Sequence, residues 1–305
     1  MTAQLIQTCI PLAGLILLGY VIARLNRVDL KSVATLAIYA ITPIVAFGSA
    51  ARLEFTPALI LLPVMTFVMA SCIGLLSRFL GMSIIRDPHQ TGLLPVACGS
   101  GNTGYFGLPI AMALFGADAA GIYFLANLGV VVFETSLGYY FIARGGLSRR
   151  EALIRVARLP VLYALSAGLV FAALQITLPD AAVKLWDLCR NAYVVVGMMI
   201  AGIALAQSEG FKLGAPLTLT AFFGKFILWP LAAIGFAAID PFFDVQTHQL
   251  ILVLSLVPIA ANLPAYAAVN DAPVRDAALL VLASTIFAIL ALPFALPALL
   301  PLLAQ

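Results

Sequence analysis

Gly99, Gly101 and Gly104 stand at the spacing G-x-G-x-x-G inside "GSGNTGYFGLP", with Asn102 and Thr103 between them and Gly107 and Pro109 after them. That spacing belongs to dinucleotide sites, where backbone N–H groups cradle a pyrophosphate. Such a site needs a strand before it, a helix opening on it and an acid about 20 positions further on. Here apolar sequence flanks the motif, the next acid is Asp118, and no βαβ pattern surrounds it. Nucleotide chemistry is therefore set aside. A second interruption, "SLVPIAANLPAYAAVND", carries Pro258, Asn262 and Pro264. Two ionisable residues stand inside apolar runs: Glu134 in "VVVFETSLGYY" and Lys225 in "TAFFGKFILWP". Cys9, Cys72, Cys98 and Cys189 are scattered singly, and His89 and His248 are isolated. They offer no metal spacing, so no metal site and no bound cofactor are expected.

The elements that must hold these residues are set by composition. Of 305 residues, 63% are hydrophobic and 10% charged, with a net charge of +3. A soluble domain is nearer 45–50% apolar and about 25% charged, and the excess reads as lipid-facing surface. Apolar windows bounded by charge or turn residues fall at 4–24, 31–51, 57–80, 90–115, 119–143, 158–177, 183–207, 213–239, 247–270 and 275–301. They are continuously apolar and near the roughly 20 residues of a spanning helix, whereas a membrane barrel needs short alternating strands. The first window lacks a basic leader and a small-residue cleavage site, and reads as a span rather than a removable signal.

Basic residues orient the chain. Arg24, Arg27, Lys31, Arg78, Arg86, Arg144, Arg149, Arg150, Arg155, Arg158, Lys212 and Arg275 fall after odd-numbered windows, and only Arg52, Lys184 and Arg190 after even-numbered ones. The positive-inside rule then puts the first set in the cytoplasm and both termini outside. The basic stretch 145–157 separates residues 1–144 from 158–305, with five windows in each part. An odd number of spans per half starts the second half from the opposite face, so halves of like fold form an inverted repeat, a common transporter plan.

In that plan the interruptions acquire a reason. Unpaired backbone at mid-membrane costs several kcal/mol unless it is buried in protein or lines a polar cavity. Two proline-interrupted spans in corresponding places of two halves point to a transport site. Pro109 and Pro264 are expected to start half-helices whose orphan N–H groups favour an anion. Asn102 and Asn262 add amide donors and acceptors. Small-residue packing alone accounts for Gly99 or Gly101, but not for the recurrence of Asn and Pro.

"GNTGYFGLPIAMALFG" resembles the fourth-span motif of the auxin efflux carrier family, which includes plant PIN auxin exporters and bacterial malonate-type carriers; Asn102, Thr103, Gly107 and Pro109 stand in the motif's places. "VPIAANLPAYAAVND" is similar to the family's ninth-span crossover with Pro264 at the crossing, and "IYAITPIVAF" and "VVVGMMIAGIALA" to its second and seventh spans. The large cytoplasmic domain of some plant members is absent. The resemblance implies an all-α integral membrane protein of ten transmembrane helices, arranged as two inverted five-helix repeats with crossed, proline-broken helices 4 and 9. It implies a scaffold of helices 1, 2, 6 and 7, a transport domain of helices 3–5 and 8–10, elevator-like alternating access and a homodimer.

The function expected is secondary active transport of a small organic anion, a carboxylate, across what is expected to be a bacterial inner membrane. Substrate contacts are expected from Asn102, Thr103, Gly104, Gly107, Pro109, Asn262 and Pro264. The alternative is a bile-acid-type sodium-coupled symporter, although little acidic clustering surrounds either interruption. An enzyme would need a nucleophile–base pair or a metal cluster, and a nucleic-acid partner is not expected. Charges at span depth cost at least about 2.5–3.5 kcal/mol and are usually functional. Glu134 and Lys225 have three readings: an ion pair; Lys225 holding the anion while Glu134 takes a proton; or snorkelling toward an interface, or span limits that fall elsewhere than the windows place them. Coupling to protons or sodium stays open between these readings. Asn127, seven residues before Glu134, shares its helical face and extends the polar path or makes a packing hydrogen bond.

Overall fold

The computed structural model describes residues 2–53, 57–116, 119–207 and 214–303; Asp118 and Lys212, used above, lie outside them. The described residues are helical or connecting, with no strand among them. Among the described residues, six helical stretches have the length and hydropathy to cross a membrane: Leu30–Ala51, Leu61–Met82, Gly121–Arg144, Asp180–Ala206, Ala215–Ile239 and Val274–Leu303. The pair Arg149–Ala157 and Pro160–Ala173, bent by 46°, makes a seventh if taken as one. Windows 90–115 and 247–270 are not continuous helices. The first divides into Pro88–Gly99 and Leu108–Phe115, the second into Val245–Leu256 and Leu263–Val269.

Short polar residues start the helices where the chain turns. Asp29 accepts from the N–H groups of Lys31 and Ser32, Asp87 from that of His89 just ahead of Pro88, and Asp244 from that of Thr247 at 2.8 Å. Ser148 and Glu151 form a reciprocal capping box, so the basic stretch 145–157 contains a helix rather than plain loop. Each cap satisfies N–H groups that the first helical turn leaves open. Two residues assigned above to a connection, Lys184 and Arg190, stand inside the helix Asp180–Ala206. That helix begins directly after Pro179, whose fixed φ suits a helix start, and its polar first turns stay helical despite their charge.

Packing divides the helices into two groups. Thr2–Leu25 lies along Asp180–Ala206, and Pro160–Ala173 along Thr42–Ala51, which also meets Asp180–Ala206. In the other group Pro57–Met82 packs on Pro88–Gly99 and Ala119–Phe133, Trp229–Ile239 on Val245–Leu256, and Leu263–Val269 on Val274–Leu299. The groups meet where Leu263–Val269 touches Leu30–Leu36 and where Val274–Leu299 touches Asp180–Ala206. Many large apolar side chains remain outward, Leu17, Phe79, Leu219 and Phe294 among them, as expected where lipid rather than water is the solvent.

Candidate functional site

Among the described residues, four five-residue π-helical turns interrupt the helices, at Ala37–Ile41, Thr103–Gly107, Glu134–Gly138 and Gly224–Leu228. Pro43, Pro109 and Pro230 each follow such a turn by two residues. A proline ring pushes away the carbonyl four residues back and lacks an N–H, and a widened turn relieves both problems. Glu134–Gly138 has no such proline. It opens on the buried acid, while Lys225 is the second residue of another π turn.

The helical course after the first interruption begins a turn earlier than Pro109. The Asn102 carbonyl accepts from the N–H groups of both Phe106 and Gly107 at 3.1 Å, so Asn102, not the residue before Pro109, occupies the cap position. Pro109 therefore stands inside the helical course, and the π turn Thr103–Gly107 accommodates its ring and its missing N–H. Asn262 caps the second half-helix in the same manner, its carbonyl accepting from Tyr266 N–H at 2.9 Å. Neither asparagine spends its side chain on the cap. The interruptions touch directly, since Asn102 N–H donates to the carbonyl of Pro258 at 2.8 Å. Each thereby satisfies backbone that would otherwise be orphaned within the apolar layer.

Beside this contact lies a cavity of about 860 Å³, lined by Gly101, Asn102, Thr103, Gly104, Pro109, Asn127, Glu134, Asn262 and Tyr266 from the second helix group and by Thr42, Ser49, Trp186 and Tyr193 from the first. Glu134 accepts from the Asn262 amide at 3.0 Å and closely from the Ser100 hydroxyl. Ser100 ends the first half-helix of one interruption, and Asn262 starts the second half-helix of the other. Asn262 also donates to Tyr193 Oη at 2.9 Å. Thr103 donates closely to Asn127 Oδ1, and Tyr123 Oη donates to the Thr103 carbonyl at 3.2 Å. Asn102 differs from all of these. It is buried, and its Oδ1 has no hydrogen-bond partner, an open acceptor for a donor, while its N–H2 group is the part of the amide that can donate to an anion.

Gly101 is required by close approach. A Cβ there would stand 2.6 Å from Lys225 Nζ, 2.7 Å from Val257 Cγ2 and 3.3 Å from the Pro258 carbonyl. Lys225 therefore lies behind the crossing rather than in the cavity. It is 1% exposed, its Nζ rests 5.5 Å from the Trp229 ring centre, and it forms no ion pair with Glu134. The described ion pairs are Lys31–Asp271, Arg190–Asp187 and His248–Asp240. Gly107 is likewise a contact residue, since a Cβ there would run into the Tyr123 hydroxyl. Gly101→Ala is expected to overpack the crossing at a cost of about 1–3 kcal/mol. A lowered unfolding temperature in detergent and slowed transport check it; wild-type values for both would contradict the tight contact.

The structure thus gathers Asn102, Thr103, Gly104, Pro109, Asn127, Glu134 and Asn262 around one cavity and leaves Gly107, Pro264 and Lys225 outside its lining. Sequence reasoning passed over Ser100, Tyr193, Tyr266 and Trp186. Tyr266 carried a usable signal, because it stands four residues after Asn262 and so shares its helix face. Tyr193 and Trp186 carried none, because they come from another helix group.

The chain matches no protein-family model. It is 29% identical over 235 residues to an uncharacterized transporter of Methanocaldococcus jannaschii, covering 72% of this chain and 74% of that one. It is 24% identical over 293 residues to an uncharacterized transporter of Methanothermobacter thermautotrophicus, covering 94% of this chain and 96% of the relative.

Proposed function

We propose that this protein is a membrane transporter of the auxin efflux carrier type, a secondary carrier of a small organic anion. The observation that carries the reading is the direct contact of two interrupted helices, Asn102 N–H to Pro258 carbonyl at 2.8 Å, beside a cavity whose mostly apolar wall carries a few polar side chains at the crossing. Backbone irregularity at that depth is tolerated where it serves a ligand site. The similarity to two archaeal proteins named as uncharacterized transporters supports a membrane transporter.

The cavity wall suggests how the carrier works. Asn102, Thr103, Asn127, Glu134 and Asn262 belong to one helix group, Thr42, Ser49, Trp186 and Tyr193 to the other. An anion held by the first set moves with that group past the second, which stays as the scaffold. Arg52 and Arg190 line this cavity, and both belong to the sparsely basic face, so the arrangement corresponds to access from outside. Uptake of labelled mono- and dicarboxylates into proteoliposomes, with and without proton and sodium gradients, tests the function. Absence of saturable uptake and exchange for every anion offered would reject it, and strict dependence on a sodium gradient would favour a sodium symporter.

The topology makes its own prediction. In a cysteine-free background, Arg149→Cys is expected to react with a membrane-impermeant reagent only from the cytoplasmic side, and Arg52→Cys only from the opposite side. Labelling of both from one side would overturn the orientation and, with it, the inverted repeat.

A further inference from the structure

The only charged side chains among the described residues lining the cavity are Glu134, at the crossing, and Arg52 and Arg190. Those two arginines share one platform. The guanidinium of Arg52 lies 4.6 Å from the Trp186 ring centre, and that of Arg190 lies 4.8 Å from it. Trp186 is itself fixed: its indole N–H is shared between the Val45 carbonyl at 3.2 Å and Ser49 Oγ at 3.3 Å. Its ring occupies the space that a side chain at position 48 would take, and Gly48 leaves that space open. Asp187 pairs with Arg190 at 3.3 Å, with both side chains about half exposed, so this contact is weak in water.

Both guanidinium groups lie about 5 Å from one indole, so two positive charges are held beside one ring on the cavity wall, where they attract an anion. Stacking also matters to what they offer. A guanidinium lying on an aromatic ring keeps its N–H donors in a fixed plane, set for the two oxygens of a carboxylate. Side-chain entropy that a free arginine would lose on binding is already lost here.

We propose that Arg52, Arg190 and Trp186 form an anion-docking subsite at the mouth of the cavity, which takes a carboxylate before it reaches the crossing. The subsite is distinct from Asn102. Its part in transport rests on the function proposed above, while its binding of carboxylate does not.

The test uses Trp186 as the reporter. In a Trp229→Phe background Trp186 is the sole tryptophan of the chain, and its emission is read while purified protein in detergent is titrated with succinate, acetate or chloride. A saturable change with carboxylates at constant ionic strength is expected. Arg52→Gln and Arg190→Gln are each expected to weaken it about tenfold or more, and Arg→Lys to restore it only in part, because an ammonium cannot bind bidentately. Asn102→Ala is expected to leave the Trp186 response intact. The subsite is overturned if no carboxylate changes the emission, if the change survives in both glutamine variants, or if Asn102→Ala alone removes it. A Trp186 response without uptake in proteoliposomes would leave the subsite standing and defeat the transport reading instead.

Discussion

Asn102→Ala is expected to lower affinity for the transported anion about ten- to hundredfold, the worth of one hydrogen bond to a charged group, and to leave the protein folded. The contacts that hold the crossing together run through the backbone of Asn102. Its N–H donates to Pro258, and its carbonyl accepts from Phe106 and Gly107. None of these depends on the side chain. The usual cost of losing an asparagine cap, about 0.5–2 kcal/mol, is not incurred either, because the Asn102 side chain makes no cap hydrogen bond. What alanine removes is an amide that lines the cavity, whose N–H2 group can donate to an anion. Equilibrium binding of labelled substrate, with an unfolding temperature measured in parallel, checks the prediction, and wild-type affinity would remove Asn102 from the site.

Asn262→Ala is not its mirror image. Asn262 donates to Glu134 at 3.0 Å and to Tyr193 at 2.9 Å, so alanine there strips a buried acid of a donor. A stability loss of about 1–3 kcal/mol accompanies any loss of binding. The sequence places the two asparagines symmetrically, yet the structure employs them differently: one braces the acid, and the other stays open.

Glu134→Gln is expected to stop net transport driven by a pH gradient while one-for-one substrate exchange continues. Glu134 is buried at 6% exposure and accepts from Ser100 of one interruption and Asn262 of the other. Gaining or losing a proton there alters contacts to both broken helices at once, which is what coupling a proton to a conformational step requires. Glutamine preserves the shape. Its carbonyl accepts from Asn262 and its amide donates to the Ser100 hydroxyl, but it carries no exchangeable charge. Uptake after a pH jump, compared with counterflow at equal pH, separates the two activities. Persistent pH-driven uptake in a stable Glu134→Gln protein would end the proton-carrier role. Because Glu134 and Lys225 form no ion pair, Lys225→Met added to Glu134→Gln is not expected to restore stability, as it would for a severed buried pair.

The amino-acid sequence alone determines that this chain is built of apolar helices and where two of them break. Both follow from local causes. Burial in lipid favours long apolar runs whose backbone bonds to itself, and the prolines at 109, 258 and 264, with the glycines near 101, restrict or free the backbone within a few residues of themselves. The helix starts at Asp29, Asp87, Ser148 and Asp244 are of the same kind, a side chain meeting N–H groups two or three residues on. Only the tertiary structure decides which polar groups meet. Glu134 and Asn262 are 128 residues apart in sequence, Lys225 fits behind Gly101 because no Cβ stands in its way, and Trp186 collects Arg52 from a different helix. A soluble helix announces its inner face by a stripe of apolar residues, whereas these helices are apolar nearly all round. Their rotation is set instead by close packing and by the pairing of a few buried polar groups, and those become visible only when the helices are placed side by side.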